Sequence, residues 1–252
     1  VRTKELLTAA GVPVPRTIAV VTGFLQARRI VEQLRGEQTF VVKPARGRGG
    51  GGVLILERTD TGWRTPSGRA VGEDELLQHF GDILFGVYSF GRADDAALVE
   101  QRVVPHPFFR DIYARGIADI RIILLRERPV MSMLRIPTDA SDGRANLHQG
   151  AIGVQVDLAA GRTGMGSLRG VATGIHPDSG APLAWLASPF WDRIVAHAVA
   201  AAGAVPLKYV GVDLVIDEQE GPLMLEVNAR PGLQIQVINR TGLAPLLEGV
   251  AP

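Results

Sequence analysis

Apolar and polar residues in this chain alternate with two periods, about 3.6 residues in some stretches and 2 in others, and each change of period marks an element boundary. The spacing predicts a helix over Thr3–Ala10, stopped at Gly11, with Pro13 and Pro15 fixing an extended exit. A short strand follows over Thr17–Val21. Phe24, Ala27, Ile30, Val31 and Leu34 recur at helical spacing and predict a helix over Phe24–Leu34 that ends at Gly36. A strand over Phe40–Val42 runs into Lys43 and Pro44, a glycine-rich stretch follows, and Val53–Glu57 resumes as strand. Residues 62–72 are rich in turn formers, Glu73–Phe80 has helical spacing, and Ala97–Val104 is an apolar strand. This first portion alternates strand and helix.

The second portion is dominated by period-2 pattern. Asp119–Leu125 and Val130–Ile136 predict a hairpin around Arg126–Pro129. A polar stretch fills 138–150, and Ala151–Leu158 is a strand with a turn at Ala160–Gly161. Gly, Ser and Thr crowd residues 164–182, which read as loops with one short strand at most. Trp185–Ala202 is helical in pattern, with Trp191, Ile194, Val195 and Ala198 on one face and both Trp185 and Trp191 expected in the core. After Gly232 a short helix carries the chain to Gly242. No repeat or low-complexity linker interrupts the pattern, and the chain reads as two lobes, 1–101 and 102–252.

Between the long helix and Gly232 lies the most informative stretch, YVGVDLVIDEQEGPLMLEVNARPG. It predicts two strands, Val210–Ile216 and Leu223–Asn228, joined by a polar turn. Strand geometry puts Asp213 and Val215 on one face and Leu214 and Ile216 on the other; in the second strand Met224, Glu226 and Asn228 share a face. With residues 217–222 as the loop, Ile216 pairs with Leu223 and Asp213 faces Glu226. Two carboxylates directly opposite, with Cβ atoms roughly 4.5–5.5 Å apart, repel each other. A shared proton, an arginine or a hard cation would relieve that repulsion. Asn228 adds a neutral oxygen to the same face, and an all-oxygen set suits Mg²⁺; the bland alternative is an amphipathic hairpin with a wet acidic face.

Composition narrows the classes. At 252 residues the chain has ample length for a core, and 46% hydrophobic with 21% charged residues is the balance of a water-soluble domain. A formal net charge of +1 gives no electrostatic case for nucleic acid as the main partner. The absence of Cys excludes disulfides, thiolate catalysis and Cys-based zinc sites. No apolar run approaches the roughly 20 residues of a membrane span, and no signal peptide is visible, so a cytoplasmic location is expected. The chain opens without Met and almost inside a helix, from which residues upstream are expected. Of 27 basic residues only Lys4, Lys43 and Lys208 are lysine, which draws attention to sites where a compact point charge is wanted.

Gly47, Gly49 and Gly52 satisfy G-x-G-x-x-G literally, but a dinucleotide fingerprint must open a helix and here a strand follows. No Gly-Lys-Ser/Thr closes the run, so it is not a P-loop either. What remains is a hairpin tip whose backbone N–H groups can approach phosphate oxygens closely, with Arg46 and Arg48 adding charge and Lys43 reaching from the preceding strand. The alternative is a flexible surface turn.

A lysine-bearing strand, a glycine-rich turn and a late Asp…Glu-x-Asn hairpin together resemble the ATP-grasp superfamily. FVVKPARGRGGGG, LVEQRVV, IADIRIILLRERPVMSMLRIPT, SDGRANLHQGAIG, YVGVDLV and LEVNARPG are similar to its α-L-glutamate-ligase-related branch, kin of the RimK-type glutamate ligases, over Thr3 to Leu243. The resemblance implies an α+β ATP-grasp fold whose two lobes clasp ATP. It implies that Lys43 binds the α/β-phosphates and that Arg46, Gly47, Gly49, Gly50, Gly51 and Gly52 cover the triphosphate. Glu100, Gln101 and the backbone near Val103 would hold adenine, and Asp213, Glu226 and Asn228 one or two Mg²⁺ ions. Arg121, Arg135, Asn146 and His148 would face the phosphates and an acyl-phosphate, and Lys4 matches a helix lysine. Arg230 stands where RimK-type enzymes often have a smaller residue and could clamp a substrate carboxylate. The implied activity is an ATP- and Mg²⁺-dependent carboxylate–amine ligation of small-molecule or peptide substrates, glutamate among them. A nucleotide-binding module serving as sensor or partner, and a phosphotransferase acting on a hydroxyl, are the alternatives.

Overall fold

Two antiparallel sheets carry the fold in a computed structural model that describes residues 1–47, 50–89 and 95–248. The chain opens with α1 (Arg2–Ala9), then β1 (Thr17–Val21), α2 (Phe24–Leu34), β2 (Thr39–Pro44) and β3 (Leu54–Thr59). Short strands β4 (Gly62–Arg64) and β5 (Ala70–Val71) precede α3 (Glu73–Leu84) and β6 (Ala97–Gln101). Next come α4 (Pro107–Ile112), β7 (Asp119–Leu125), β8 (Arg128–Ile136), β9 (Ile152–Val156), β10 (Thr163–Leu168) and β11 (Val171–Thr173). The last elements are α5 (Trp191–Ala204), β12 (Tyr209–Asp217), β13 (Gly221–Asn228), α6 (Gln234–Asn239) and α7 (Ala244–Glu248). The α+β fold class implied by the resemblance is what the chain adopts.

The elements group into two compact units, one of Pro15–Arg102 together with Val1, the other of Arg2–Val14 with Val103–Pro252. The first unit holds the sheet β1-β6-β2-β3-β4-β5. Along β2, Phe40 and Val42 point to a core they share with Ala27, Ile30, Val31 and Leu34 of α2 and Leu76, Phe80 and Ile83 of α3. Strand alternation therefore sends Lys43 to the sheet face away from those helices.

The second unit holds the sheet β11-β10-β9-β8-β7-β12-β13. One face is continuous apolar core: Ile120, Ile122, Leu134, Val154, Val212 and Leu214 pack against Ile194, Ala198 and Ala201 of α5 and against Leu7 of α1. The other face is divided. Ile123, Met131 and Met133 lie under Ile235 and Ile238 of α6, while the neighbouring positions on β7, β8 and β12 carry charge.

Several expectations need correction. The stretch 164–182 contributes to two strands, β10 and β11, because Gly166 and Thr173, and Ser167 and Ala172, pair as an antiparallel ladder. The helix expected from Trp185 begins only at Trp191. Residues 185–190 run otherwise because Trp185 and Phe190 take left-handed backbone, Ala187 bridges to Arg162, and Ser188 is restricted by Pro189. Trp185 is 80% exposed and is not a core residue, whereas Trp191 is buried. α4 and α7 had no recognised signal. Among the described residues no helix is long and apolar enough to cross a membrane.

Candidate functional site

Each unit carries its own group of the residues singled out by sequence. In the first, β2 and β6 pair so that Val41 faces Glu100 and Lys43 faces Leu98, and the Lys43 Nζ lies 2.6 Å from Glu100 Oε2. Glu100 is buried while Lys43 is part-exposed. Lys43 is thus a part-exposed cation tethered by a buried carboxylate at the end of a strand. Gln101 continues β6, its N–H donating to Arg16 O.

The glycine turn begins right after Lys43 and Pro44. A Cβ on Gly47 would sit 2.5 Å from Pro44 Cγ, so the backbone closes against that ring only as glycine. Gly50 and Gly52 take φ of +78° and +74°, the left-handed region. The turn is held from behind by two residues that the sequence gave no reason to choose: His79 Nε2 lies 3.0 Å from Gly52 O, and the Tyr88 ring fills the space of a Gly52 Cβ. Arg46 and Gly51 are exposed; Gly49 and Arg48 lie outside the described residues.

In the second unit a charged row crosses the middle of the sheet. Asp119 pairs with Arg135 across β7 and β8, Asp213 with Arg121 across β7 and β12, and Asp213 with Glu226 across β12 and β13. Asp119 accepts two hydrogen bonds from Arg135, at 2.5 Å from Nε and 2.7 Å from Nη2. Asp213 accepts from Arg121 Nε at 2.7 Å and Nη2 at 2.6 Å, and Arg135 Nη2 reaches Asp213 Oδ2 at 2.8 Å. Asn228 Nδ2 adds a bond to Asp213 Oδ2 at 3.3 Å. Two aspartates and two arginines thus cancel in charge in the buried part of the row. Burial pushes the Asp119 carboxyl up to about 7 against the pull of Arg135. Asp213 is held below the usual carboxylate range by Arg135 and Arg121, which outweigh its burial. Asp119 was not anticipated, although it stands two residues before Arg121 and so on the same strand face.

The Asp213–Glu226 pairing arises by a different register from the one expected. Ile216 pairs with Pro222 and Asp217 with Gly221, so the loop is only residues 218–220. A bulge at Leu225 then restores the Asp213–Glu226 partnership. It also separates Met224 from Glu226: Met224 packs into the core beside Leu214, while Glu226 is exposed. Of the three reliefs for facing carboxylates, arginine is the one seen at Asp213.

The donors nevertheless fit a hard cation. Asp213 Oδ1 accepts from Arg121 Nε, Asn228 turns its amide nitrogen to Asp213, and Glu226 stands exposed, so two carboxylates and an amide bring oxygen donors to the end of the row. Mg²⁺ keeps several waters and is bound through one or two carboxylates plus phosphates, so a dedicated cage is not required. Among the described residues no group of three or more His, Asp or Glu side chains could hold a metal alone.

The remaining expected residues lie outside the strands that carry the row. Asn146 Oδ1 caps a short 3₁₀ turn by accepting from His148 N, and His148 is exposed with its Nδ1 3.4 Å from Gln234 Nε2. Arg230 is exposed on the bend after β13. Val103 is buried against Val215 and Leu223, and the adjoining Val104 N donates to Asp217 Oδ2 at 2.8 Å.

The architecture is shared with solved structures. D-cycloserine synthetase DcsG matches with a TM-score of 0.53 and 17% identity over 97% of this chain and 66% of that one. Campylobacter jejuni biotin carboxylase matches with a TM-score of 0.59 and 16% identity over 100% of this chain and 46% of that one. At such identities the likeness is one of fold, and the class is that of an α+β chain built on two antiparallel sheets. Within that class the chain belongs to the sugar-transfer associated ATP-grasp family, which its residues 1–251 match. A probable alpha-L-glutamate ligase of Pasteurella multocida (strain Pm70) is 26% identical over 231 residues, covering 92% of this chain and 52% of the relative. The chain therefore spans about half the length of that relative, and the glutamate-ligase-related resemblance read from its motifs is borne out.

Proposed function

We propose that this protein joins a carboxylate to an amine at the expense of ATP, through an acyl-phosphate, with amino acids or peptides as the substrate class. The observation that carries the reading is the charged row on β7, β8, β12 and β13. Four charges in the centre of a sheet are poor stabilisers, since apolar residues of similar volume serve as well or better. Their retention in an ATP-grasp chain is accounted for by work on charged reactants.

In this reading Lys43 leaves Glu100 for the phosphates, and the Gly47–Gly52 backbone offers N–H groups to their oxygens. Glu100 and Gln101, with the backbone near Val103, meet the base. Asp213, Glu226 and Asn228 would hold Mg²⁺, which when bound would supply positive charge beside the transferred phosphoryl group. Arg121 and Arg135, fixed in orientation by Asp213 and Asp119, stabilise the oxyanion formed as the amine attacks. Arg230 is assigned to a substrate carboxylate, and Asn146 and His148 to the acyl end of the site. No side-chain nucleophile is required. The relative's glutamate makes that amino acid the first substrate to try.

The test is release of ADP and phosphate from MgATP across paired carboxylates and amines. Release that needs both partners is expected; release indifferent to the amine, or a phosphorylated hydroxyl product, overturns the reading. Lys43→Met is expected to lower turnover about a hundredfold, the scale of losing one charge-stabilising donor. Full turnover by Glu226→Gln with Mg²⁺ at saturating ATP would remove the metal assignment. One observation favours a second reading, a nucleotide-binding module without ligation: both Asp213 oxygens are already held by arginine. Tight ATP binding with no turnover across the amino-acid panel would favour it.

A further inference from the structure

The residues behind the glycine turn are arranged in a way that packing alone does not require. His79 lies on α3, 27 positions from Gly52, yet its Nε2 is 3.0 Å from the Gly52 carbonyl oxygen. That oxygen can only accept, so Nε2 carries the hydrogen and Nδ1 is left as an acceptor. The Tyr88 hydroxyl sits 3.5 Å from Nδ1, and the two rings are tilted at 51° with centroids 5.6 Å apart. The same Tyr88 ring occupies the Cβ space of Gly52, 2.6 Å from where that atom would be. One residue of the turn is therefore gripped twice, by a hydrogen bond on its carbonyl and by a ring in the space that a Cβ would take. Burial pushes the imidazole down and keeps it neutral, with Gly52, Asp82 and Glu75 pulling up and Arg69 down, which suits a single fixed donor.

We propose that His79 and Tyr88 are positioning residues that hold the Gly50–Gly52 backbone in the one conformation a phosphate-bearing nucleotide would meet. The inference rests on the nucleotide reading of the turn and adds to it residues that touch no ligand. Four successive glycines from Gly49 to Gly52 have wide conformational freedom, and a turn that samples it would bind phosphate with an entropic penalty. A backbone grip from a rigid helix removes that freedom before the ligand arrives.

The experiment is calorimetric titration of the full chain with MgADP, at a temperature where every variant is shown by circular dichroism to be folded. His79→Leu is expected to bind about tenfold more weakly, equal to about 1.4 kcal/mol. His79→Gln, which keeps an N–H for the carbonyl, is expected to stay within about threefold of the parent, a rescue that simple packing would not produce. Tyr88→Phe keeps the ring and is expected to bind like the parent, whereas Tyr88→Ala is expected to follow His79→Leu. Equal affinity of His79→Leu and the parent overturns the proposal, as does a His79→Gln variant no better than His79→Leu. If the parent itself fails to bind MgADP, the nucleotide reading fails separately, and amide exchange decides the positioning role. Exchange at Gly52 and Val53 is then expected to be about tenfold faster in His79→Leu, and unchanged exchange overturns the proposal.

Discussion

Asp213 shows how one side chain can hold two offices. Its oxygens take three arginine hydrogen bonds and one from Asn228, so it anchors the guanidinium groups while its backbone register keeps Glu226 opposite. Removing Arg135 would leave two buried carboxylates sharing one cation. Arg135→Met is expected to destabilise the second unit by about 3–5 kcal/mol, measured by urea unfolding. The two aspartates also tilt stability in opposite directions with pH. A carboxyl raised in the folded state binds its proton more tightly there than when unfolded, so the Asp119 contribution is full at low pH and is lost as pH climbs to about 7. The Asp213 carboxyl is depressed, so its contribution is present at neutral pH and lost as pH falls below the usual carboxylate range. Asp119→Asn removes the first group alone. Its stability is expected to vary less between pH 5 and 7 than that of the parent, as read by unfolding free energies across that range.

At the scale of the element, β13 and α5 do most to set the second unit. The Leu225 bulge lets a three-residue turn coexist with an Asp213–Glu226 pair, and it rotates Met224 into the core. α5 lays Ile194, Ala198, Ala201 and Ala202 on the sheet, and its small residues allow close approach. Ile194 is wholly buried there. Ile194→Ala is expected to cost about 2–5 kcal/mol of unfolding free energy, because the lost side chain leaves a cavity that a helix pinned by its neighbours cannot collapse. In the first unit α3 has a second duty besides its core face of Leu76, Phe80 and Ile83, since His79 leaves it towards the glycine turn. Helical spacing predicted the helix over Glu73–Phe80 and was silent on His79, whose partner lies 27 residues away.

At the scale of the whole chain, sequence order and packing order part at the beginning. α1 precedes every strand of the first unit, yet Leu7 and Val12 belong to the core of the second, and Met224 N donates to Pro13 O at 2.8 Å. Removal of residues 2–14 is expected to lower the unfolding midpoint reported by Trp191, the buried indole of that core, with Trp63 serving as the separate reporter of the first unit. Much was legible in advance. The 3.6- and 2-residue periods gave β1 and α2 with their observed bounds, and Lys43, the glycine run, Asp213 and Glu226 stood out because charge and flexibility in otherwise apolar strands are costly. The α+β class and the ATP-grasp family were implied by the resemblance that those features and the neighbouring motifs carry. What the sequence could not decide was set by contacts between distant residues. Register shifts at a bulge, the left-handed backbone that delays α5 to Trp191, the arginines that neutralise Asp213, and the grip of His79 and Tyr88 on Gly52 all arise from such contacts. A local pattern encodes which face a side chain takes, but not which partner waits on that face. Only the tertiary fold supplies the partner.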